Sequence, residues 1–178
     1  FSEVLVSAEH SPEDRLSYCE IIKKNSDSLL VLINDILDLS RIESGQIKMT
    51  LQKENVAGIL RDALLTVQQA RRTKAEFKLE VSDTEMYLNT DGYRLKQVIV
   101  NLLSNASKFT KEGSIVLAMH KDEGNCVFSV TDTGCGIPKE KAQKIFERFE
   151  KLDEFSQGTG LGLSISKLIV EKLGGEIW

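Results

Sequence analysis

The chain has 178 residues, of which 41% are hydrophobic and 28% charged, and it carries a net charge of −4 with a pI near 5.4. This composition suits a soluble globular protein with one well-buried core or two small ones, and excludes a disordered or fibrous chain. The acidic balance argues against a nucleic-acid binder, which carries a basic face. No apolar run reaches the length of a membrane span, because SLLVLINDILDL is broken by Asn34, Asp35 and Asp38.

FSEVLVSA (1–8) reads as the tail of a helix whose start has been cut away. The first residue is Phe1, not Met, which predicts an excised fragment with room outside it for a membrane anchor. A long helix is expected over 11–45, with Ser11 as N-cap, Pro12 at the first helical position, acids in the first turn and Gly45 as the stop. Ile22, Ser26, Leu29, Ile33, Ile36 and Ser40 step by fours and threes, and Leu30, Leu32, Leu37 and Leu39 widen the stripe beyond what one neighbouring helix could cover. That width predicts a helical bundle completed by a second copy.

After Gly45 the pattern changes to strands at 47–56, 77–82 and 86–90, with a helix at 56–72 between the first two. A second helix is expected over 91–107, then a hairpin of two apolar strands, 114–121 and 125–132, joined by Asp122, Glu123 and Gly124. A short helix at 139–146 and a last one at 161–173, stopped by Gly174 and Gly175, complete the chain. Strands and helices segregated in this way predict an α+β sandwich, with helices on one face of a mixed or antiparallel sheet. Cys19, Cys126 and Cys135 lie far apart with no CxxC pair, and no signal peptide is visible, so a reduced, cytoplasmic setting is expected.

Three stretches carry chemistry. In helix 91–107, Leu95, Val98, Ile99, Leu102, Leu103 and Ala106 make the buried face, while Gln97, Asn101, Asn105 and Lys108 share the opposite one. A solvated face would favour Glu and Lys over Asn, so two asparagines one turn apart look selected for their side chains. An Asn oxygen is a neutral hard ligand suited to Mg²⁺, and Lys108 could meet phosphates; a plain polar face is the alternative. In VTDTGCGIP (130–138), Asp132 is either a turn residue or an acceptor for an exocyclic amino group such as that of adenine. Gly134 and Gly136 would let backbone approach a flat ring. Cys135 has no basic neighbour in sequence and reads as a bystander. In QGTGLGLS (157–164), Gly158, Gly160 and Gly162 precede a helix whose free N–H groups would suit a phosphate chain, although a Walker A lysine is missing.

In order along the chain, Asn-x-x-x-Asn-Ala-x-Lys-Phe-Thr, Asp-x-Gly-x-Gly-Ile-Pro, the Phe146/Phe149 pair and Gly-x-Gly-Leu-Gly-Leu-Ser resemble the N, G1, F and G2 boxes of sensor histidine kinases. DLSRIESGQ (38–46) is similar to the end of the second helix of their dimerisation domain, so the resemblance covers nearly the whole chain. It implies a Bergerat-type (GHKL) α/β sandwich over 46–178, shared with gyrase, heat-shock chaperone and mismatch-repair ATPases. Residues 1–45 would then be part of a helical dimerisation hairpin lacking its H box. ATP and Mg²⁺ are the implied cofactors, with adenine on Asp132, Mg²⁺ on Asn105, and phosphates against Lys108 and Lys151, the latter on a short lid at 150–157.

Gly134, Gly136, Phe149, Gly158, Thr159, Gly160, Leu161 and Gly162 match box positions around the nucleotide, and Phe146 and Phe149 would pack the base of the lid. Related ATPases carry a glutamate where Asn101 stands. An amide cannot take a proton from water, which disfavours hydrolysis and leaves Asn101 and Lys151 to serve phosphoryl transfer. The acceptor histidine is expected upstream of Phe1; His10 lacks the acidic neighbours of an H box, and His120, in an apolar strand, reads as structural. The implied partners are a second copy through the hairpin and a response-regulator receiver domain. Another outcome of the same fold is a nucleotide-dependent clamp or regulatory module without catalysis.

Overall fold

The computed structural model describes residues 11–46, 48–70, 73–151 and 158–178. The expected helix tail at 1–8 and most of the expected lid lie outside the described residues. Helix α1 spans Pro12–Glu43. Ser11 Oγ accepts from the Asp14 N–H at 3.1 Å at its start, and Gly45 leaves it with φ +69°. Both ends match their sequence signals.

Strand β1 (Gln52–Asn55) is shorter than the expected 47–56. Only these residues pair with β3 (Tyr87–Thr90), antiparallel from Gln52↔Thr90 to Asn55↔Tyr87. Two residues before the ladder, the Thr50 N–H donates instead to the Asp91 carboxylate at 2.9 Å. Helix α2 (Val56–Gln69) follows directly, capped by Asn55 Oδ1 on the Gly58 N–H at 2.8 Å. Strand β2 (Glu76–Val81), helix α3 (Gly92–Phe109), strands β4 (Ser114–Asp122) and β5 (Asn125–Asp132) and helix α4 (Gly162–Lys172) complete the chain. The β4–β5 connection is a two-residue turn, with Glu123 at φ +46° and Gly124 at φ +90°, the double left-handed geometry of a tight hairpin. The helix expected at 139–146 is reduced to a single 3₁₀ turn, Lys144–Phe146, with no side-chain cap. KEKAQK (139–144) offers Ala142 alone as an apolar anchor, too little to stabilise further turns.

The sheet is mixed: β2 runs parallel to β4 and β4 antiparallel to β5, while β1 and β3 form a separate pair. Alternation along β4 buries Ile115, Leu117 and Met119 against Val56 and Leu60 of α2 and Leu95, Ile99 and Leu103 of α3. Each such side chain contributes about 1.5–3 kcal/mol by leaving water. A second cluster joins Leu39 and Ile42 of α1 to Val98 of α3 and to Leu161, Ile165 and Ile169 at α4, so α1 ends on the helical layer. Higher on α1, Leu29, Leu30, Ile33, Ile36 and Leu37 stay between 45 and 59% exposed, an apolar stripe that no other element among the described residues covers.

Candidate functional site

Helix α3 is amphipathic, and its two faces do different work. Asp91 caps it, accepting from the Arg94 N–H at 3.0 Å, and Leu95, Ile99 and Leu103 anchor it to the sheet. The opposite face turns Asn101, Asn105 and Lys108 into a cleft of about 1130 Å³. The same cleft is lined by Asp132 at the end of β5, by Gly136, by Phe149 and Lys151, and by Gly158, Thr159, Gly160 and Gly162 ahead of α4. Residues of α1, including Asn25, Leu32 and Asp35, close its far side. Of the residues matched to box positions around the nucleotide, Gly134 and Leu161 do not line it. Gly134 donates its N–H to Asp132 Oδ1 at 2.8 Å, and Leu161 is fully buried in the second cluster.

Gln97, one turn before Asn101, leaves the constellation. Its Nε2 donates to Asp38 on α1 at 2.9 Å, beside Arg94 Nη1 at 3.3 Å on the same carboxylate oxygen. Asn101 Nδ2 donates to Ser166 Oγ of α4 at 2.9 Å, and a Cβ at Gly162 would collide with Asn101 Oδ1, so glycine there lets the loop close on the amide. Asn105 is half-buried on the cleft wall, and its amide takes no partner among the described residues. Asp132 Oδ1 accepts from Thr110 Oγ1 at 3.2 Å as well as from Gly134. Thr110 is fully buried, and its carbonyl is in turn held by the Thr73 hydroxyl. Thr110 and Ser166 are among the residues at the site to which the sequence assigned no role, as is Asp35 of α1. The first stands in the Lys-Phe-Thr run already read as part of a motif; nothing in sequence marks the second.

The glycine loop is fastened to the segment before it. The Phe149 N–H donates to Gly160 O at 2.9 Å, and a Cβ at Gly160, whose φ is +73°, would lie 2.8 Å from the Phe149 backbone. Phe149 itself has φ +62° and is 62% exposed, so it meets the loop through its main chain, while the half-buried Phe146 packs near Lys167. Leu161, at the N-cap of α4, supplies no side-chain cap, which leaves the first N–H groups of the helix available to an anion. Lys108 stands over the Phe109 ring at 4.6 Å. Burial, and then the like charge of Lys151, hold the Lys108 ammonium below the ordinary lysine range. Two repelling cations beside uncapped N–H groups make a site that an anion would neutralise. Among the described residues no cluster of three or more His, Cys, Asp or Glu could hold a metal by itself. His120, expected as structural, is solvent-exposed near the end of β4.

The family model described as histidine kinase-, DNA gyrase B- and HSP90-like ATPase matches residues 90–178. Sensor histidine kinase GacS of Pseudomonas protegens is 39% identical over 99% of the chain, which spans 20% of the length of that protein. Full-length ShkA, solved in complex with AMPPNP, superposes with a TM-score of 0.79 at 31% identity, covering 96% of this chain and 36% of that one. Histidine kinase ThkA, solved in complex with the response regulator protein TrrA, superposes with a TM-score of 0.80 at 26% identity, covering all of this chain and 51% of that one.

Proposed function

We propose, since the chain belongs to the histidine kinase-, DNA gyrase B- and HSP90-like ATPase family, that it is the ATP-binding core of a sensor histidine kinase. The α+β sandwich and the ATP-binding character of its domain are those of the family. The observation that carries the kinase reading is the convergence of Asn101, Asn105 and Lys108 from α3 with Asp132 and the glycine loop around one cleft. In this reading Asp132, held by Thr110 and Gly134, accepts the adenine amino group through its remaining oxygen. Phosphates lie against the uncapped start of α4 and between Lys108 and Lys151. Asn105 is the free neutral oxygen ligand on the wall, and with no carboxylate cluster among the described residues the Mg²⁺ would share its remaining ligands with phosphate and water, which suits that ion. Bound there, Mg²⁺ would neutralise charge on the phosphates.

Asn101, locked by Ser166, is an amide and takes no proton from water, which favours transfer over hydrolysis. Residues 1–45 belong to the dimerisation hairpin and 46–178 to the ATP domain. The uncovered stripe on α1 fits a second copy of the hairpin, and a receiver domain is the onward acceptor, as the ThkA assembly supports. Among the described residues no helix is long and apolar enough to cross a membrane.

Calorimetric titration of the chain with Mg-AMPPNP tests the site. Saturable binding that Asp132→Asn abolishes is expected; binding that survives this substitution unchanged would overturn the pocket assignment.

A further inference from the structure

One contact between α1 and the rest of the molecule ends inside the cleft. Thr159 Oγ1 donates to Asp35 Oδ2 at 2.8 Å and accepts from the Leu161 N–H at 3.2 Å, so a single hydroxyl joins a carboxylate of α1 to the glycine loop. Asp35 lines the cleft together with Asn101 and Lys108. Its neighbours on the same face of α1 are paired with cations: Asp38 with Arg94, and Glu43 with Arg148. Asp35 has no cationic partner among the described residues. Burial pushes its carboxyl up, the Thr159 hydroxyl pulls it back, and the charge of Asp38 pushes it up again. A half-buried carboxylate without a counter-charge is a costly way to hold a threonine, since a neutral acceptor would serve. Its charge also faces whatever enters the cleft that it lines with Asn101 and Lys108, and the group expected there is a polyphosphate.

We infer that Asp35 is a positioning residue for the glycine loop: through Thr159 it holds the loop on α1, and its charge opposes the phosphates of a bound nucleotide. The inference rests on the reading of the cleft as an ATP site. Phosphates and Asp35 then compete for the same loop, and coupling of this kind is reciprocal. A nucleotide loosens the ATP domain from α1, and a helix held against the loop weakens the nucleotide.

The test is titration of the 178-residue chain, unaltered and as Asp35→Asn and Asp35→Ala, with Mg-AMPPNP and separately with adenosine. Both substitutions are expected to tighten AMPPNP, by about fivefold for Ala and less for Asn, which keeps an acceptor for Thr159. Adenosine affinity stays unchanged in both, which also shows that the pocket is folded. AMPPNP affinity equal to or weaker than that of the unaltered chain would overturn the inference, as would equal tightening of adenosine. Absence of AMPPNP binding in the unaltered chain would overturn the ATP-site reading itself, and this inference with it.

Discussion

Asn101 on α3 and Ser166 on α4 are joined side chain to side chain at 2.9 Å, across the two helices that carry the cleft. Ser166 is 2% exposed, so its hydroxyl has no water to turn to if the amide is removed. A double-mutant cycle of Asn101→Ala and Ser166→Ala, followed by denaturant unfolding, is expected to give a coupling of about 1 kcal/mol. Additive effects would show that the contact contributes nothing to the fit of α4 on α3.

Thr110 acts on the cleft through Asp132. Thr110→Val keeps the shape of a fully buried side chain and removes the hydroxyl on Asp132 Oδ1. Among the described residues the carboxylate then keeps only the Gly134 N–H. Weakening of Mg-AMPPNP binding by about tenfold is expected, the cost of one hydrogen bond to a charged group. Calorimetry measures it directly, and unchanged affinity would mean that Asp132 needs no such support.

Much of this was legible in the sequence. Ser11, Pro12 and Gly45 bounded α1, and the spacing of Leu95, Ile99 and Leu103 assigned α3 its buried face, because caps and periodicity are local signals. Local signals misjudged β1, whose length is set by where β3 stops pairing and by the Asp91 carboxylate reaching Thr50. They also placed Gln97 with Asn101 and Asn105, since all three share a face of one helix. The residue that draws Gln97 away, Asp38, lies 59 positions earlier, and no pattern within α3 announces it. Ser166 was hidden for the same reason: its partner is 65 positions away.

The Lys108 ammonium is held below the ordinary lysine value of 10.5 by burial and then by Lys151. Between that lowered value and 10.5 the unfolded chain binds a proton that the folded chain has released. The penalty carried by this group is therefore relieved, and stability rises, as pH climbs through the window. A polyphosphate beside Lys108 reverses the shift, so nucleotide binding takes up protons there. Titrations in buffers of different ionisation enthalpy are expected to show uptake that Lys108→Met removes. Uptake that persists in that variant would assign the proton to another group.

Two glycines separate backbone strain from close approach. Gly124, at φ +90°, has nothing within 4 Å of the place a Cβ would occupy, whereas a Cβ at Gly160, at φ +73°, would press on the Phe149 backbone. Gly124→Ala is expected to cost about 1 kcal/mol, the left-handed penalty alone. Gly160→Ala is expected to cost more, about 2–3 kcal/mol, and to weaken nucleotide binding. Thermal unfolding of the two variants compares them; equal losses would show that the loop yields freely around Phe149.

The proposed kinase function requires that phosphate held in this cleft pass to a protein histidine. Its direct measurement uses the chain extended upstream through a complete first helix, incubated with γ-labelled Mg-ATP while label on protein and free phosphate are followed together. Acid-labile, base-stable label on the protein, lost in Asn105→Asp, is the expected result. Steady release of free phosphate with no label on the protein would contradict the kinase account and make the cleft that of an ATPase.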